Sequence, residues 1–224
     1  MPWPRNAKIA FIGSHGIRKT TAALSFAGVV QRAGRSVEFA REVVRDNPLG
    51  INEGATCAAQ LWVITSQVRR ELELAPRAEC LVTDRGVMDN FAYYLRACDG
   101  HDRFEVASLV QRWSQTYDLV VRLTPDVEIR ADGVRSTNDA FRDEVEGILD
   151  ELLPRLVPSE RLIVQPASGI TERFDWWPLA ERLAAGLGEP LLAPGVARPA
   201  RRSRPAPSRA KPASDDQLAM DLGR

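Results

Sequence analysis

The sequence predicts an α/β fold, a five-stranded parallel sheet with helices on both faces. Short apolar runs alternate with longer stretches whose apolar residues recur at helical spacing, the order of strands joined by crossover helices. A glycine-bearing loop follows the first apolar run and leads into a helix-forming stretch. Charged residues fall just past later runs, at the strand ends where parallel sheets bind ligands.

The elements follow in order. Residues 9–12, Ile-Ala-Phe-Ile, read as a buried strand, and 20–27 as the first helix. A turn at 33–35 leads to a second strand over 36–40, and the polar segment 41–46 is stopped by Pro48. Residues 55–75 read as a long helix whose apolar stripe is Leu61, Ile64, Val68 and Leu72. The third strand is 79–84. Helices are expected over 87–97 and 103–117, on either side of an Asp99-Gly100 turn, and the fourth strand over 118–123. After the arginine-bearing segment 125–137 come a helix over 138–153, a fifth strand over 161–164 and a closing helix over 171–185. Trp176 and Trp177 are expected to pack that last helix. The domain is assigned to residues 1–189, and 190–224, rich in Pro, Ala and Arg, to a disordered tail.

Residues 13–20 read Gly13-Ser14-His15-Gly16-Ile17-Arg18-Lys19-Thr20 and match the phosphate-binding pattern G-x-x-x-x-G-K-[ST] except at Arg18. Strand, glycine loop and helix N-terminus form an anion site, because backbone N–H groups converge there and the helix dipole favours negative charge. Residues 13–21, through Thr21, are therefore assigned to ATP. Lys19 is expected at the β- and γ-phosphates and the Thr20 hydroxyl at Mg²⁺. The chain holds three lysines, Lys8, Lys19 and Lys211, among 30 basic residues, so a lysine here stands out. Arg18 takes the place of a glycine that adopts positive φ without strain, and it either tunes or damages the loop. His15 is expected to face solvent, with phosphate contact as the alternative.

Phosphoryl transfer needs a metal, a positioned nucleophile and cations on the transferring group. Asp84 ends an apolar strand and is assigned to Mg²⁺. Arg85, next to it, presents a fork for a phosphate or a carboxylate. Glu42 follows the second strand and suits proton abstraction from a substrate hydroxyl, with Arg45 as its partner or a substrate ligand. Arg130, Arg135 and Ser136, with Arg142 on the next helix, suit a lid that neutralises charge and excludes water.

Charge and cysteine usage narrow the classes further. Net charge is zero, but residues 194–224 are basic and the rest is mildly acidic, which is not a dedicated nucleic-acid-binding domain. Cys57, Cys80 and Cys98 are odd in number and far apart, with no zinc spacing and no secreted disulfide framework. No apolar run approaches a membrane span and no signal peptide is apparent, so a cytoplasmic location is expected.

Glu42-x-x-Arg45, Thr83-Asp84-Arg85-Gly86, Asp89-Asn90-Phe91-Ala92-Tyr93 and Asp132-Gly133-Val134-Arg135-Ser136 resemble motifs of small P-loop kinases. The resemblance covers about residues 7–187. It is nearest to the nicotinamide riboside kinase domain of the bifunctional NAD-biosynthesis regulator and its AAA-like relatives, and more distant to thymidylate and deoxynucleoside kinases. It implies a P-loop NTPase of the nucleoside-monophosphate-kinase type. It also implies ATP-dependent phosphorylation of a nucleoside or nucleotide, with Lys19, Thr20 and Asp84 at Mg·ATP, Glu42 near the acceptor hydroxyl, and Arg135 and Arg142 acting from the lid. A regulatory nucleotide-binding ATPase whose basic tail recruits DNA or a protein stays open as an alternative, as does a polynucleotide 5′-kinase. The tail end, Gln217, Leu218, Met220 and Leu222 within Gln-Leu-Ala-Met-Asp-Leu, resembles short peptides that dock on bacterial sliding clamps.

Overall fold

The computed structural model describes residues 6–126 and 138–198. Arg130, Arg135 and Ser136, expected in a lid, and the tail residues Gln217, Leu218, Met220 and Leu222 lie outside them. Five strands form one parallel sheet: β1 (Ala7–Ile12), β2 (Val37–Ala40), β3 (Cys80–Asp84), β4 (Leu119–Thr124) and β5 (Leu162–Pro166), in the order β2-β3-β1-β4-β5. The helices are α1 (Lys19–Arg32), α2 (Cys57–Leu74), α3 (Val87–Ala97), α4 (Ala107–Ser114), α5 (Asp139–Leu156) and α6 (Trp177–Gly186). Alternation along β1 explains the layering. Ile9 and Phe11 face the α1/α6 side, where Phe11 meets Phe26 at 5.7 Å and Trp176 at 5.6 Å. Ala10 and Ile12 face the α3/α5 side with Met88, Phe91, Val145 and Leu149. Each of the larger of these buried side chains contributes about 1.5–3 kcal/mol.

β1 lies between β3 and β4, pairing Phe11 with Asp84 and Val121, so the loop after β1 sits beside the acid ending β3. That central position places the expected site residues Lys19, Thr20 and Asp84 on one rim.

The element order matches the expectation, but the helices differ in extent or exposure: α1 runs on to Arg32 rather than 27, and α5 to Leu156 rather than 153. In α2 the expected apolar stripe is wrong at Leu72, which is 61% exposed, while Gln60, Gln67 and Glu71 are buried. The inner face of this helix is a polar network, which apolar periodicity does not register. α4 starts at Ala107, not 103, because the Asp102 carboxylate accepts from Val106 N at 2.9 Å and Ala107 N at 2.8 Å and holds the chain in a turn. α6 starts at Trp177, where Asp175 accepts from the Trp177 N–H at 3.1 Å and Pro178 suits the first turn.

The packed chain continues beyond residue 189. Leu191 is buried, Arg35 donates to the Leu191 and Pro190 carbonyls, and Arg198 pairs with Glu181 at 3.1 Å. A disulfide joins Cys57, in the first turn of α2, to Cys98, just after α3, where no disulfide was expected; Cys80 is free and buried. No helix among the described residues is long and apolar enough to cross a membrane.

Candidate active site

The loop after β1 is built by its glycines. Gly13 has φ 133°, and a Cβ there would lie 2.5 Å from the Leu123 carbonyl oxygen, so no side chain fits. Gly16 has φ 76°. Ile17 is fully buried and anchors the loop from below, which leaves only its backbone for a ligand. Arg18 stands at φ 63°, ψ 22°, the left-handed conformation a glycine would take freely. Its exposed side chain leans toward the Ile170 carbonyl at 3.4 Å. The N–H groups of Lys19, Thr20 and Thr21 open α1, where no acceptor exists within the helix.

Lys19 is buried, and its ammonium donates back to the Ser14 carbonyl. Burial lowers its pKa from 10.5 to about 8; the Arg85 cation adds to this, and Asp89, Glu42 and Asp84 oppose it. Thr20 Oγ1 donates to Asp84 Oδ2, which brings the two expected magnesium residues together across β1 and β3. Ser14 N donates to Glu146 Oε1 of α5 at 2.8 Å, and Glu146 also receives Arg122 of β4 at 2.9 Å. This brace joins α5 to the start of the loop, and sequence reading missed it because residue 146 is far away in the chain.

Beyond Asp84 the backbone turns through Arg85 at φ 87°. Arg85 is buried, and its Nε donates to Glu42 Oε1. Its Nη1 reaches Asp89 Oδ2 at 3.4 Å, and its guanidinium lies 4.9 Å from the Tyr93 ring centre. Burial works against the Arg85 cation, yet Glu42, Tyr93 and Asp89 carry its pKa well above the ordinary value. Burial pushes Asp89 up to about 6, against the pull of Arg85, Lys19 and the Gly86 N–H. Of the two ligands expected for Arg85, the structure shows a carboxylate. Arg45 lies 3.8 Å from the other Glu42 oxygen.

A pocket opens beside this pair, lined by Glu42, Arg85, Gln60, Asn90, Tyr93 and Phe141 among others. His15 belongs to it, contrary to the expectation of a solvent-facing residue. It is 4% exposed, stacked on Phe141 at 5.2 Å, with Nδ1 3.1 Å from the Tyr93 hydroxyl. Asn90 Nδ2 is buried with no hydrogen-bond partner among the described residues. Asn90 and Tyr93 lie in the first two turns of α3, within the Asp89–Tyr93 motif, to which the sequence assigned no individual role. Arg142 lies one turn into α5 and pairs with Asp139 at 2.8 Å.

Comparison with known proteins agrees with this layout. No curated protein matches the chain. Among solved structures, NadR protein in complex with NR superposes with a TM-score of 0.62 at 16% identity, over 89% of this chain and 54% of NadR. NadR in complex with NAD and AMP-PNP gives 0.57 at 13%, over 89% and 52%. This chain thus spans about half the length of NadR. The M. mycoides deoxyadenosine kinase with products dCMP and dCDP gives 0.52 at 15%, over 81% of this chain and 97% of that one. These likenesses show a P-loop, kinase-like fold. The model of the AAA domain family AAA_28 matches residues 8–173, the span that carries the sheet and the loop, and the chain belongs to that family.

Proposed function

We propose that this protein is an ATP-dependent kinase that transfers the γ-phosphoryl group to a hydroxyl of a nucleoside-like acceptor. One observation carries the reading. The buried Glu42–Arg85 pair faces a pocket with polar and aromatic walls and lies within electrostatic reach of the loop lysine. ATP phosphates suit the N–H groups of residues 16–21 and the Lys19 ammonium. The Thr20 hydroxyl and Asp84 carboxylate converge, a donor set that fits Mg²⁺ completed by phosphate oxygens and water. Bound there, the metal neutralises phosphate charge.

In this reading Glu42 takes the proton of the acceptor hydroxyl as that oxygen bonds to the γ-phosphorus, and the bond to the β-phosphate oxygen breaks to release ADP. Arg85 fixes the orientation of the Glu42 carboxylate. Tyr93, Phe141 and His15 offer ring surfaces to a flat base, and the Asn90 and Gln60 amides offer hydrogen bonds to its edge. The pocket holds about 40 Å³, below the roughly 300 Å³ of ordinary ligand sites, so in this reading it must widen to admit an acceptor.

Two calorimetric titrations test the two halves separately. Mg·AMP-PNP binds wild type and fails to bind Lys19→Ala. Nicotinamide riboside or a deoxynucleoside then binds the loaded wild type and binds Asn90→Ala at least tenfold more weakly. Nucleotide binding without binding of any nucleoside tried favours the regulatory ATPase, and no nucleotide binding refutes both readings.

A further inference from the structure

The residues proposed for proton transfer are held by a buried network that has no place in the chemistry itself. Glu71 of α2 is fully buried, and its carboxylate receives four donors. Oε2 accepts from Lys8 Nζ and Trp113 Nε1, each at 2.8 Å. Oε1 accepts from Gln67 Nε2 at 2.8 Å and from the Tyr117 hydroxyl at 2.7 Å. The Lys8 ammonium also lies over the Trp113 ring at 4.6 Å and the Tyr117 ring at 4.3 Å.

Two of these donors reach on to the turn that carries Arg85. Gln67 Nε2 donates to the Arg85 carbonyl at 3.3 Å, and the Tyr117 oxygen accepts from the Val87 N–H at 3.2 Å. The turn is thus gripped on both sides of Gly86. Arg85 needs such a grip, because an L-residue at φ 87° persists only where its surroundings hold it. Gly86 is closely packed: a Cβ there would lie 3.2 Å from Met88 Cε and 3.3 Å from Ile12 Cγ2.

We propose that Glu71, acting through Gln67 and Tyr117, is a positioning residue that fixes the Arg85–Val87 turn and so aims the Arg85 guanidinium at Glu42. The inference rests on the kinase reading for its consequence, though not for its geometry. Neither Gln67 nor Tyr117 is among the residues lining the pocket, so both act from behind the turn.

Substitution of Glu71 strands the Lys8 cation in the core and invites unfolding. The test therefore uses Gln67→Met and Tyr117→Phe, which remove one grip each and keep the volume close. The readout is hydrogen exchange of the Arg85 Nε–H, followed by nuclear magnetic resonance on the full chain, with the amides of β1 and β4 as internal reference. Exchange at least tenfold faster at Arg85 in both variants, with the reference amides unchanged, supports the proposal. Unchanged Arg85 exchange overturns it, and so does an equal acceleration at the reference amides, which marks a merely structural role. The same variants are assayed for phosphoryl transfer, with a fall in kcat of at least tenfold and a steady KM for ATP expected. A wild type that transfers no phosphoryl group defeats the kinase reading and leaves the exchange result to decide the positioning role.

Discussion

Arg18 and Lys19 are neighbours whose backgrounds differ, and each yields a measurable consequence. Arg18 holds a left-handed backbone at φ 63°, which costs an L-residue about 1 kcal/mol. Its guanidinium approaches the Ile170 carbonyl at 3.4 Å. Arg18→Gly relieves the strain but adds freedom to the unfolded chain, leaving a net gain of about 0.5 kcal/mol. Thermal denaturation should show a rise of about 1–2 °C; a fall means that the arginine contact outweighs the strain. Lys19 has its pKa lowered by burial to about 8. Between about pH 8 and 10.5 the unfolded chain binds a proton that the folded chain has lost, so this group favours folding increasingly as pH rises through that window. Nucleotide binding runs the other way, because phosphates need the ammonium. The Kd for Mg·AMP-PNP should be about tenfold weaker at pH 9 than at pH 7, with a proton taken up on binding. A flat Kd over that range contradicts the lowered pKa. The phosphate loop was readable because strand, glycines and Lys-Thr are contiguous. His15 was misread because what buries it, Tyr93 and Phe141, is 78 and 126 positions away in the chain.

Among the elements, α2 shows how a regular pattern misleads. Helical spacing of Leu61, Ile64, Val68 and Leu72 gave the right element and a partly wrong face, since Leu72 is 61% exposed. Buried Glu71 is satisfied by Lys8, Trp113 and Tyr117 from other elements, and Gln67 Nε2 by Glu71 and the Arg85 carbonyl; hydropathy counts both residues as surface. Leu72→Lys should therefore change stability by less than about 0.5 kcal/mol, whereas Ile64→Ala should cost about 2–5 kcal/mol in urea unfolding. Equal losses would contradict this face assignment. The Cys57–Cys98 disulfide ties the start of α2 to the end of α3, the two helices that supply Gln60, Asn90 and Tyr93 to the pocket. Its partners are 41 residues apart, and a closed loop of that length stabilises by about 4 kcal/mol in the chain-entropy model. Denatured, unreduced protein should show one free thiol, Cys80, and reduction should lower the melting temperature by several degrees. Three free thiols before reduction would contradict the pairing. Spacing alone did not reveal it, because a pairing depends on how α2 and α3 pack.

On the scale of the whole molecule, the order β2-β3-β1-β4-β5 brings together what the chain keeps apart. Strand order puts Asp84 beside the loop and sets Arg85 against Glu42 from the end of β2. The sequence allowed the strands, the crossovers and the rim to be read, because each is marked by a local run of residue types. The pocket walls were not readable as a set, since they come from the loop, the segment after β2, α2, the Arg85 turn, α3 and α5, and only packing assembles them. Acceptor chemistry separates the kinase from the regulatory ATPase most directly. The decisive measurement is the initial rate of ADP formation from Mg·ATP by wild type and Glu42→Gln, with and without nicotinamide riboside or a pool of deoxynucleosides. A kinase predicts ADP formation that depends on the acceptor, matches phosphorylated product one for one, and falls at least 100-fold in Glu42→Gln. ADP formed at the same rate with and without acceptor, and unaffected by Glu42→Gln, would contradict the account.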